Sequence, residues 1–185
     1  MHPQLQAVLD EFAAAQARLH ALAEATPDDW WPVRADPARW SIGECVAHLN
    51  LTADAYLPLI RRGLENGRRL GASAPARFHR DPIGWFLWRT GGPPVRQRIR
   101  TTARFIPSGA EARVPAVETF DRHQSEQIQC TREADGLALG SIRITSPFDS
   151  RIRYNLFSCL TILPPHQHRH LWQAEQVLEG LRRAR

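Results

Sequence analysis

The sequence contains no lysine: all 24 of its basic side chains are arginine. Together with the many alanines and prolines, this points to GC-rich coding DNA more than to selection for guanidinium chemistry, so the formal charge of +5 says little about partners. Cysteine is scarce as well. Cys45, Cys130 and Cys159 are odd in number and show no CxxC spacing, which argues against a disulfide framework or a thiolate zinc cluster and leaves them as buried, reduced fillers. No apolar run approaches the roughly 20 residues of a membrane span. The start, MHPQLQAVLDEFAAAQ, has neither the basic n-region nor the continuous apolar h-region of a secretory signal, so a cytoplasmic protein with no membrane partner is expected. Repeats and low-complexity tracts are also absent. What remains, 43% hydrophobic and 23% charged, is the make-up of a globular chain, and 185 residues suit a single domain over the whole length.

Hydrophobic period supplies the elements. Leu5, Val8, Leu9, Phe12, Ala15, Leu19 and Leu22 recur mostly at steps of three and four and predict a first helix from His2 to about Glu24. The stretch TPDDWWPVRADPARW ends it, and its tryptophans imply a loop packed back on the body. Ser41 and Glu44 then stand in capping-box spacing, with Trp40 and Cys45 placed as a hydrophobic staple. They open a second helix predicted to run to about Glu65, with Ile42, Cys45, Val46, Leu49, Ala53, Tyr56 and Ile60 toward the core and a kink at Pro58. Residues 66–114 read as a long connection holding one helical turn at Ile83–Trp88. A third helix is expected from Val114 to about Ala134, its apolar face of Val117, Phe120 and Ile128 diluted by Gln124 and Thr131. Ile142 and Ile144 alternate as in a short extended segment. The last helix, from about Tyr154 to Leu181, is expected to break near Leu163 and restart at Pro165, since proline biases its predecessor away from helix and suits a first helical position. Four main helices with a long crossover between helices 2 and 3 make an all-α four-helix bundle the expected fold.

Three of the eight histidines crowd into PPHQHRHLWQ, residues 164–173. On a helix, His166 and His170 stand one turn apart on one face, and their imidazoles can share a divalent ion. His168 is rotated about 200 degrees from His166 and cannot join them. A helix starting at Pro165 would also place His166 near its positive end, which keeps the ring neutral. Two nitrogens hold an ion weakly, so a third donor from another helix is needed. His48, at the edge of the apolar face of helix 2, is the best candidate, although a histidine at a core boundary is more often a hydrogen-bonded packing residue.

The run W-S-I-G-E-C-V-A-H-L at 40–49, followed by H-x-x-x-H-L-x-Q at 166–173, resembles the DinB-like superfamily, the metal-binding four-helix bundles that include the YfiT-type proteins. The segment R-T-T-A-R-F-I-P at 100–107 is similar to the connection after helix 2 in that family, and the resemblance runs in order along essentially the whole chain. It implies one divalent ion, zinc or nickel, held by His48, His166 and His170 with a coordination position left open. It further implies a metal-dependent enzyme of the thiol-transferase or hydrolase kind, acting on a small-molecule substrate with a low-molecular-weight thiol as a possible second cofactor, and a homodimer. Glu44, Asn50 and Gln173 are candidates to support the ligating rings. Arg151, Arg153 and Arg169 are candidates for binding an anionic substrate. A non-catalytic metal or ligand sensor is the alternative. Nucleic-acid binding, suggested by Arg96, Arg98, Arg100 and Arg104, is disfavoured because no reading motif accompanies them.

Overall fold

The computed structural model describes residues 1–93 and 101–184. Helix α1 spans Pro3–Glu24 and buries all seven apolar positions read from its period. Helix α2, Ile42–Leu70, is a turn longer than its sequence suggests. The capping box is present, with Ser41 Oγ accepting the Glu44 N–H at 3.1 Å and Glu44 Oε2 accepting the Ser41 N–H at 2.8 Å. Pro58 lies inside α2, and the helix stops only where Gly71 turns left-handed at φ 63°.

The connection that follows is more ordered than a loop with one turn. Asp81 caps helix α3, Pro82–Gly91, by accepting the Gly84 N–H at 2.8 Å, and Pro82 sits at the first helical position. The other carboxylate oxygen of Asp81 accepts the backbone N–H of Asn155, tying α3 to the start of the last helix. A short 3-10 turn at Ala103–Phe105 precedes helix α4, Arg113–Glu133. The strands β1, Arg143–Thr145, and β2, Arg153–Asn155, then pair antiparallel, with Ile144 opposite Tyr154.

The last helix, α5, runs unbroken from Leu156 to Arg183 with Pro164 and Pro165 inside it, contrary to the expected break. The missing donors deprive the Leu160 and Thr161 carbonyls of their usual partners, at a cost of about 3 kcal/mol or more per interior proline. Against that stand Leu156, Phe157, Leu160, Leu163 and Leu171, all buried, at an upper estimate of about 1.5–3 kcal/mol each. Packing outweighs the local preference, and proline φ itself is compatible with the helix.

Helices α1 and α2 each pack against α4 and α5, which places α1 diagonally from α2 and α4 diagonally from α5. The pairs Arg61–Glu126 and Arg68–Glu133 show α2 and α4 running parallel, as the long crossover requires. Contacts Glu11–His168 and Arg18–Glu175 show the same for α1 and α5. The fold is thus an all-α four-helix bundle with α3 in the crossover, packed on α5.

Two apolar clusters fill the bundle. One gathers Phe12, Tyr56, Ile60, Phe157 and Leu160, and the other Leu19, Trp31, Val46, Phe120 and Leu171. Polar side chains occupy the level between them. Gln124 on α4 and Gln167 on α5 exchange amide hydrogen bonds at 2.8 and 3.1 Å, and the Gln124 amide also donates to the Phe12 carbonyl. Gln124 and Thr131, which dilute the apolar period of α4, are therefore buried; Val117 and Ile128 are only half-buried.

Candidate metal centre

His48 lies on α2 between the residues of the two clusters, and His166 and His170 occupy the matching gap on α5 between Leu163 and Leu171. One candidate ligand atom from each of the three rings falls within a group whose members all lie within 4.8 Å of one another. The Nε2 atoms of His48 and His166 are 3.3 Å apart. That is the edge length of a tetrahedron with metal–nitrogen bonds of about 2.0–2.1 Å, roughly 3.3 Å. The antiparallel approach of α2 and α5 creates this proximity, and the one-turn spacing within α5 supplies the second ring.

The environment favours ligating imidazoles. His48 Nδ1 is 2.7 Å from the Phe105 carbonyl, an acceptor only, so Nδ1 carries the proton and the Nε2 lone pair faces the other rings. Burial holds all three histidines below their usual range. It takes His166 down to about 3, assisted by the charges of His48 and Arg169. His48 is lowered by burial despite the opposing Phe105 hydrogen bond. His170 is lowered by burial first and then by His166, His48 and Arg169, with the Gln173 side chain acting weakly in the other direction. His170 Nδ1 is buried without a hydrogen bond of normal geometry. Three neutral donors at this spacing fit a divalent ion, although His48 and His166 can also satisfy each other by an N–H···N bond.

The helix-start argument for His166 does not hold, because α5 begins ten residues earlier at Leu156; burial keeps the ring neutral instead. His168 points to α1, with Nε2 3.2 Å from Glu11, while its carbonyl accepts from Arg18. Glu44 serves the cap and pairs with Arg34, which holds its carboxyl below the usual range. Asn50 donates to the Ala116 carbonyl at 3.0 Å, across to α4. Gln173 borders His170. Arg151 is exposed and bound to Asp149, Arg153 is exposed on β2, and Arg169 is buried with Nη1 3.4 Å from the Thr90 carbonyl at the end of α3. Of the four arginines suggesting nucleic acid, Arg96, Arg98 and Arg100 lie outside the described residues, and Arg104 sits over the Phe105 ring at 5.7 Å.

The sequence gives no role to the aromatic walls. Trp40 packs against His48 and His170 with ring centres 4.8 and 5.8 Å away, and Phe148 lies 6.4 Å from His48 and 6.1 Å from His166. Phe105 stacks on Phe148 at 4.1 Å. Trp40 stands just before the cap, and Phe105 lies in the R-T-T-A-R-F-I-P segment, but neither position shows in the sequence that the ring borders the histidines. Phe148 is brought in by the hairpin, which no local pattern announces.

A four-helix bundle with a three-histidine cluster between its second and last helices, His48 and His170 buried and His166 half-buried, is the architecture of a helical protein able to hold a metal ion. The family model described as the DinB superfamily matches residues 11–174, and the chain belongs to that family. Searches of curated proteins and of solved structures each gave no significant match. Among the described residues no helix is long and apolar enough to cross a membrane.

Proposed function

We propose that this chain is a metal-dependent enzyme holding one divalent ion, zinc or nickel, on His48, His166 and His170, and catalysing a thiol-dependent transfer or a hydrolysis on a small molecule. The observation that carries the reading is the Nε2–Nε2 separation of 3.3 Å between His48 and His166, with His48 oriented by the Phe105 carbonyl. When bound, such an ion supplies a Lewis acid that activates water or a thiol as a nucleophile. Three nitrogen ligands leave a coordination position open, the arrangement of catalytic rather than structural zinc. The chain's own contribution is to fix the ring tautomers, to keep the imidazoles neutral by burial, and to line the site with Trp40, Phe105 and Phe148 so that bulk water is excluded.

Metal analysis of purified protein tests this first. Near one divalent ion per wild-type chain and loss in His48→Ala are expected; wild-type protein that stays metal-free after exposure to zinc and nickel refutes the site. A metal-tied scaffold or sensor is the second reading, favoured by the 1% exposure of His48. Loading with cobalt separates the two. A visible spectrum that shifts when a thiol is added supports an accessible position, and an unresponsive spectrum supports the scaffold.

A further inference from the structure

Helix α3 is apolar on both of its faces. One face, with Gly84, Leu87 and Trp88, packs against α5 and the core, so closely that Gly84 leaves no room for a side chain beside Ser158. The opposite face carries Ile83 and Phe86 one turn apart with Trp85 beside them, and these side chains are 45%, 58% and 53% exposed. A single exposed apolar side chain is ordinary, but a helix apolar all round is normally covered on every side. No acidic residue lies within α3, and Arg89 stands one turn after Trp85 and Phe86.

The neighbours of this face are cationic. Ile83 shares a concavity with Arg143 and Arg153 of the hairpin, both exposed. The acidic side chain that lines it, Asp81, is already engaged: its oxygens accept the Gly84 and Asn155 N–H groups, and Arg143 lies 3.3 Å away. Residues 72–93 and 143–155, which hold α3 and the hairpin, contain six arginines against two aspartates and so carry +4 of the chain's +5. The use of arginine for lysine reflects coding composition, but the gathering of charge beside an aromatic helix does not. A second copy of the chain is a poor cover, because a twofold contact sets these arginines against their own copies. An acidic peptide would meet the arginines and offer little to the rings. An anionic lipid surface suits both, since aromatic side chains settle at the boundary of headgroups and acyl chains while guanidinium groups meet phosphates.

We infer that α3 lies on the surface of an anionic membrane, with Ile83, Trp85 and Phe86 at the boundary of headgroups and acyl chains and Arg89, Arg143 and Arg153 on lipid phosphates. That no described helix is long and apolar enough to cross a bilayer excludes a span by those helices, not a helix lying in the interface. The inference stands apart from the metal site and does not depend on it.

The test sediments the full chain with vesicles of phosphatidylcholine alone and of phosphatidylcholine with roughly one-third phosphatidylglycerol, at low salt. Binding to the anionic vesicles is expected to be at least about tenfold tighter than to the neutral ones, and to weaken as salt rises. Trp85→Ser and Phe86→Ser in one chain should weaken it at least about tenfold, and Arg153→Gln about fivefold. Both variants should keep wild-type helical content and Tm, since the altered side chains are exposed. Brominated lipid should quench part of the tryptophan fluorescence of wild type, and Trp85→Phe should bind as well while losing that quenching. No binding to anionic vesicles at low salt, equal binding to both kinds, or binding unaltered in the folded double variant would overturn the inference. So would a lipid-free dimer that the double variant turns into a monomer, which would assign the face to a second copy. Binding of polyglutamate by protein that ignores the anionic vesicles would assign it to an acidic protein segment and overturn the inference too.

Discussion

The Glu44 carboxylate receives the Ser41 N–H and the Arg34 guanidinium together, so one side chain joins the start of α2 to the loop before it. Ser41→Ala should cost about 1 kcal/mol in urea unfolding, as expected for loss of an N-cap. Glu44→Gln keeps a capping amide but removes the charge. Because the Glu44 carboxyl titrates below its ordinary 4.5 in the folded state, its ionised form adds stability above that value and loses it as pH falls through the lower folded value. The wild type should therefore exceed Glu44→Gln in stability at pH 7, with the gap closing as pH falls through the lowered folded value of the Glu44 carboxyl. A gap independent of pH would mean that the Arg34 pair contributes nothing, which is common for partly exposed pairs. The histidines also divide at this scale: His168→Ala should keep the metal that His48→Ala loses, since His168 faces Glu11 and Arg18. Periodicity separated His168 from His166 and His170 without any structure, because helix geometry alone turns it away.

Helices α1 and α2 were legible as elements because a regular apolar face and a capping box are local signals, and α4 was placed to within a residue at either end. The helix α3 was legible only as a turn. Its start signal, Asp81–Pro82, is plain in hindsight, but its length depends on packing against α5. Gly84 shows how close that packing is, for an added Cβ would stand 2.1 Å from Ser158 Oγ. Gly84→Ala should thus cost about 1–3 kcal/mol in thermal or chemical unfolding, the range for overpacking a core. A neutral effect would show that α3 can lift from α5 without loss. The continuity of α5 through two prolines runs against the bias that proline places on the residue before it, and follows from its burial between α1 and α2.

At the scale of the whole bundle, the polar level between the two apolar clusters joins helices that are far apart in sequence. An ion bound there only in the native state stabilises by mass action, by about 2.7 kcal/mol at a free concentration of 100 Kd. For a domain of this size that corresponds to a rise in Tm of roughly 5–10 °C. Scanning calorimetry with zinc or nickel should show this rise in wild type and in His168→Ala, reversed by chelator, and no rise in His48→Ala. An equal shift in His48→Ala would place the ion elsewhere.

The sequence by itself determined the bundle class, the capped start of α2, and the pairing of His166 with His170, because each follows from helical period and short-range hydrogen bonding. Alone, the residues left His48 open between ligand and packing histidine, and only the resemblance of its motif to a known family favoured the first. Tertiary structure decided the rest. The antiparallel approach of α2 and α5 brings Nε2 of His48 to 3.3 Å from that of His166, the Phe105 carbonyl fixes its tautomer, and the hairpin delivers Phe148. These are contacts between residues far apart along the chain, whose energies arise from burial and mutual orientation and so leave no mark on local sequence pattern.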